Sequence, residues 1–199
     1  MILIEEATVP DTALPVDAFK AHLRLGTGFA GDVVQDDVLK SFLRAAMAAI
    51  EARTGKVLID RGFRWTLNAW RDAGGQVLPV APVSAIRRVV LVDRTGAETE
   101  LGATLYRLEA DAHRPRLRPM AGLLPAVPQG GEAVISFDAG LAIDWAGLPA
   151  DLAQAVLLLA AHYYEYRDNT ALSDGCMPFG VTSLLQRYRP MRIGFGGGQ

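Results

Sequence analysis

Gly26-Thr27-Gly28-Phe29-Ala30-Gly31 has the GxGxxG spacing that lets a backbone approach a pyrophosphate at a helix N-terminus. That chemistry needs a strand before the glycines and a helix after them. Here a helical pattern precedes them and no strand-helix-strand unit surrounds them, so the string reads as an interhelical loop. His22, His113 and His162 fall in a helix, a loop and a later helix, with no i,i+4 pair and no HExxH, which leaves no ligand set for a metal. Cys176 has no histidine near it in sequence, so nothing there would generate a thiolate. Asp36 and Asp37 are adjacent, hence on different helix faces, and suit a helix start better than acid-base work. No GxSxG, P-loop or CxxC occurs. The expectation is a protein that is not an enzyme and holds no cofactor and no metal.

Arginine is the other reactive type. Arg114, Arg116 and Arg118 alternate in a short extended run, which places their guanidinium groups on one side of a strand. Such a row fits phosphates or an acidic protein groove, and it equally fits an edge strand kept soluble by charge. Arg187, Arg189 and Arg192 repeat the pattern near the C-terminus, interleaved with Phe179, Leu184, Leu185, Tyr188, Met191 and Phe195. Apolar anchors between arginines favour a partner groove for that segment.

The elements that must carry these residues follow from pattern. The chain has 199 residues, half of them hydrophobic, which is enough for one core. Its 20 basic and 22 acidic residues give a net charge of −2, so only local patches can be basic. Three of the basic residues are Lys and the rest Arg. The single Cys excludes an internal disulfide framework and fits a reducing compartment. MILIEEATVP has no basic leader, and the expectation is a chain that stays where it is made; no apolar run reaches the ~20 residues of a membrane span.

Apolar spacing predicts helices over about 15–25, 32–54 and 150–167, the second with Val38, Leu39, Phe42, Leu43, Ala46, Met47 and Ile50 on one face and Gly55 as its stop. Phe63, Trp65, Leu67 and Ala69 alternate with more polar neighbours and open a run of short strands over about 57–140. The fold class expected is therefore α+β: N- and C-terminal helices forming a bundle, an inserted antiparallel β region, and an extended C-terminal arm over 169–199 beyond a domain at 1–168.

With this layout the chain resembles the head-to-tail connector (adaptor) proteins of long-tailed phages and of phage-derived gene transfer agents. The resemblance runs through AHLRL (21–25), DDVLKSFLRAAMAAIEARTGKVL (36–58), LPVAPVSAIRRVVLVDRTG (78–96), Tyr106-Arg107-Leu108, ISFDAGL (135–141) and LPADLAQAVLLLAAHYYEYRD (148–168). Where the family often shows Tyr-Glu-Asn-Arg, this chain has Tyr164-Glu165-Tyr166-Arg167. The resemblance implies a homo-oligomeric ring, commonly of twelve copies, in the neck of a particle assembled in the bacterial cytoplasm. Such a ring sits under the portal protein, extends a channel through which DNA passes without sequence recognition, and docks the next stopper or tail connector protein. It implies ring packing by Leu157, Tyr163, Tyr164 and Arg167. The alternative is a DNA-binding packaging factor that uses Arg114, Arg116 and Arg118.

Overall fold

The helical period stops at Gly55, whose φ of +67° suits glycine and closes the longest helix. The structure, a computed structural model, describes residues 1–25, 33–167 and 177–189. It is mixed helix and antiparallel sheet, as the pattern predicts. The helices are α1 (Val16–His22), α2 (Val33–Thr54), α3 (Ala150–Glu165) and α4 (Phe179–Leu185), with 3-10 turns at Asp11–Ala13 and Gln186–Tyr188. The strands are β1 (Ile2–Glu5), β2 (Arg61–Leu67), β3 (Gln76–Val77), β4 (Val83–Val92), β5 (Glu98–Glu100), β6 (Tyr106–Glu109), β7 (Arg116–Pro119) and β8 (Glu132–Ala139).

One core is helical. Leu39, Leu43, Ala46, Met47 and Ile50 of α2 meet Leu152, Ala155, Val156, Leu159 and Ala160 of α3, and Phe19 of α1 is wholly buried with them. Val38, predicted to share the α2 face, is instead exposed. On its other side α3 is covered by α4, whose Val181 and Leu185 are fully buried, and by Tyr188 of the following turn. The extended arm expected over 169–199 is thus corrected for its middle: residues 179–188 fold back as helix and turn, because α3 has a second apolar face that needs a cover. Tyr188 is fixed by its hydroxyl, which donates to Asp151 Oδ1 at 2.8 Å. Met191, Arg192 and Phe195 lie outside the described residues.

The second core lies between two sheets. The five-stranded sheet has the order β1-β2-β8-β4-β5 and the three-stranded sheet the order β3-β7-β6. Register pairs Phe63 with Phe137, Trp65 with Ile135 and Leu67 with Ala133, and Val89 with Ile135 across the next strand. The side chains that alternate inward therefore form one apolar face, which packs against Leu117, Tyr106 and Leu78. The opposite face carries ion pairs, Arg87 to Glu6 and Asp138 and Arg88 to Glu98 and Glu100. The turn from β4 to β5 is tied by Asp93 Oδ1, which accepts from Thr95 N at 2.7 Å and Ala97 N at 3.0 Å, with Gly96 at φ +87°.

Arg61 joins the two cores. Its guanidinium is 8% exposed and donates to Glu51 of α2 at 2.7 Å, to Glu5 of β1 at 2.6 Å and to the Ile59 carbonyl at 3.0 Å. Glu51 also accepts from Leu58 N at 2.8 Å. Burial alone would push the Arg61 pKa down, and the hydrogen bonds it donates to Glu51 and Glu5 outweigh that and hold it above its ordinary value.

Two stability outcomes follow from these contacts. Leu185→Ala is expected to cost about 2–5 kcal/mol in urea unfolding, and a chain cut after Arg167 to melt well below the full chain; an unchanged midpoint in both would show that α4 adds nothing to the core. Arg61→Met leaves two carboxylates facing each other at the junction and is expected to cost about 3–5 kcal/mol by the same measurement.

Candidate functional site

Three surfaces hold the residues singled out in the sequence. On the three-stranded sheet, β7 carries Arg116 and Arg118 on one face, and the register sets Arg107 of β6 opposite Arg118 and Glu109 opposite Arg116. Arg107 belongs to this charged face; only strand pairing, not sequence distance, could have found it. Arg118 donates to Glu109 Oε2 at 2.7 Å and to the Gly74 carbonyl at 3.1 Å, so it is already partnered. Glu109 is held below the ordinary carboxylate value by that hydrogen bond first and by the nearby arginine charges.

Arg114 precedes the strand. It is positioned by Asp111, whose Oδ1 accepts from His113 N at 2.7 Å and Arg114 N at 2.6 Å. These two bonds hold the Asp111 carboxyl below 3.8, its ordinary value. The same loop is pinned from inside by Lys56, 3% exposed, whose ammonium donates to the Ala112 carbonyl and lies 3.0 Å from His113 Nδ1. Burial pushes that amine below 10.5, against the pull of Asp111.

Arg114 and Arg116 do not project onto a flat face. With Arg71, Gln76, Trp65 and Val77 they line a cleft of about 500 Å³ at the end of β2. Among the described residues none of Arg71, Arg114 and Arg116 has a carboxylate within ion-pair distance. Asp72 also lines the cleft and leaves it net positive. In its wall Trp65, 3% exposed, has an indole N–H with no acceptor among the described residues, an uncompensated cost in the free chain.

The C-terminal end of α3 is the second surface. Leu157, Tyr163 and Tyr164 are half-buried and Arg167 is exposed. Tyr164 packs edge-on against Phe42 of α2 at 5.9 Å, and the Arg167 guanidinium lies over the Tyr164 ring at 4.9 Å. Tyr164 therefore spends part of its surface inside its own chain. The His162 and Tyr166 rings lie tilted against each other, 4.7 Å apart.

The third is the outer side of α4. Phe179 is 89% exposed, Leu184 is half-buried, and Arg187 and Arg189 are on the surface. Arg187 is paired with Asp151 at 3.0 Å and lies over the Tyr188 ring at 4.7 Å. Leu185 and Tyr188, expected as docking anchors, are buried against α3 in the chain itself. The sequence reading also missed β1: Ile2, Leu3 and Ile4 form an exposed apolar edge strand, and Ile143, in the loop after β8, is 88% exposed. Four apolar residues before Glu5 were the available signal for the strand.

Among the described residues no group of three His, Cys, Asp or Glu is placed to hold a metal, and no helix is long and apolar enough to cross a membrane. The glycines from Gly26 to Gly31 and Cys176 lie outside the described residues.

No family model and no curated protein matches the chain. Solved structures do. A chain in the neck of an empty gene transfer agent particle computed with C6 symmetry is 52% identical, with a TM-score of 0.88, over 98% of this chain and 99% of that one. A chain in the virion of a native gene transfer agent particle is 51% identical with a TM-score of 0.86, over 98% and 99%. A third, from the neck of a native particle computed with C12 symmetry, is 47% identical with a TM-score of 0.84, over 98% and 99%.

The Asp111 geometry has a pH consequence. Its carboxyl titrates lower folded than unfolded, so the loop is fully held above 3.8 and loosens as pH falls through the lowered value. The protection of the His113 and Arg114 amides, their exchange rate measured against the intrinsic rate at the same pH, is expected to be high at neutral pH and to fall in that acid window, and Asp111→Ala to remove it at every pH.

Proposed function

The chain belongs to the connector (adaptor) family of phage-derived gene transfer agent necks, and from that premise we propose that it is the head-to-tail adaptor of such a particle. In this reading copies of the chain form a ring, of twelve in the C12 case, beneath the portal protein. The ring continues the DNA channel and presents a surface to the next stopper or tail connector protein. The observation that carries the reading is the likeness to neck chains over nearly the whole length, at 47–52% identity. TM-scores of 0.84–0.88 mean that the backbone shape available for assembly is shared as well.

The geometry adds where contacts would lie. Phe179 on α4 is a large aromatic left in water by its own chain, and Leu184 and Arg189 flank the same short helix and turn. An aromatic anchor beside an arginine is the composition of an interface centre. We assign this side of α4, with the segment carrying Met191, Arg192 and Phe195, to portal docking, and the α3 end at Leu157, Tyr163, Tyr164 and Arg167 to ring packing. A positive channel-facing surface would need no sequence readout, since phosphate contacts alone carry none.

Co-purification with the portal protein tests the docking surface. Phe179→Asp is expected to reduce portal binding about tenfold or more with no change in melting temperature, because the side chain makes little contact with its own core. Equal recovery of wild type and variant would remove α4 from the docking surface.

A further inference from the structure

The cleft between Arg71, Arg114 and Arg116 has no role in the reading above, and the opposite end of the five-stranded sheet has the complementary chemistry. Strand β2 runs from Arg61, paired with Ala139, to Leu67, paired with Ala133. The cleft sits at the Leu67 end, where Trp65 lines it. The loop after β8 leaves from the Arg61 end, so the two features are separated by about 20 Å, the length of the strand.

That loop is a firm projection. Gly140 lets β8 pass against the Asp60 backbone, where a Cβ would collide. Asp60 N donates to the Ala142 carbonyl at 2.7 Å and Ala142 N to the Leu58 carbonyl at 3.2 Å, and the bridge between Ile59 and Ala142 sets Asp60 alongside Ile143. Asp144 Oδ1 accepts from Gly147 N at 2.9 Å and closes the turn. The tip thus holds Ile143, 88% exposed, between two carboxylates, Asp60 and Asp144. Among the described residues neither has an ion-pair partner.

The geometry points to a head-to-tail contact in which the Ile143 knob of one copy enters the Arg71-Arg114-Arg116 cleft of the next. The inference rests on the ring reading and specifies one of its interfaces. Three guanidinium groups without a carboxylate partner among the described residues want carboxylate or carbonyl acceptors. A pocket of about 500 Å³ admits a side chain or two, not a duplex. The Arg118–Glu109 pair interrupts the open row of cations that a nucleic-acid strand would follow. Because knob and cleft are different surfaces at opposite ends of one sheet, the contact is heterologous, the kind that closes into a ring when the rotation fits.

Crosslinking in assembled particles tests it. In a Cys176→Ser background, Ile143→Cys and Val77→Cys are combined, and purified particles are treated with a short bis-maleimide. A ladder of covalent multimers is expected from the double variant and from neither single one. Particles that hold the chain in their necks and give no ladder overturn the knob-in-cleft contact while the ring reading stands; absence of the chain from the necks overturns both. As a second readout, Asp60→Arg with Asp144→Arg is expected to lower the yield of neck-bearing particles about tenfold. Adding Arg71→Asp and Arg114→Asp should restore that yield. Loss of yield without restoration by the swap, from variants that melt like the parent, overturns the contact as well.

Discussion

The Arg61 guanidinium ties the helical half of this molecule to its sheets. Arg61 sits where the last turn of α2 hands the chain to the sheet, and its planar fork reaches a helix carboxylate, a strand carboxylate and a carbonyl together. A lysine could supply the charge but not the three directions. Together with the backbone bridges from Lys56 to Ala81 and from Ile59 to Ala142, this junction sets how the helical half stands against the sheets. Burying the group is costly unless each of its donors is met, and here two carboxylates and one carbonyl meet them.

The helical half shows how one element can be apolar on two sides and cover both within its own chain. α3 touches α2 through one row of side chains and α4 through another. The excess of Leu and Ala in Asp151–His162 reads in sequence as material for a neighbouring subunit, yet much of it is consumed by the chain's own C-terminal turn. What remains for a neighbour is at the helix end, where Tyr163, Tyr164 and Arg167 emerge.

Most elements were legible because their periods are clean: the alternation of Phe63, Trp65 and Leu67 and the helical recurrence from Leu39 to Ile50 match the structure. α4 was not, because its seven residues contain a glycine and are too few to show a period, and its stability comes from the face it covers rather than from propensity. The surfaces were harder. Arg116 and Arg118 look equivalent in sequence, but Arg118 reaches Glu109 diagonally across the strand pair, while Arg116, directly opposite Glu109 in the register, turns to line a cleft. Arg71 joins that cleft from 43 to 45 positions away in sequence, a proximity that only the pairing of β3 with β7 creates. Arginine count is visible in a sequence; which arginines are spent is a property of the fold.

The two margins of the five-stranded sheet differ in kind. β5 ends it with Glu98, Thr99 and Glu100, all exposed, and three residues with two negative charges make a poor template for another strand. β1 ends it with Ile2, Leu3 and Ile4, also exposed, and nothing charged guards that margin until Glu5. The chain on its own therefore has one self-repelling sheet edge and one apolar edge open to a further strand.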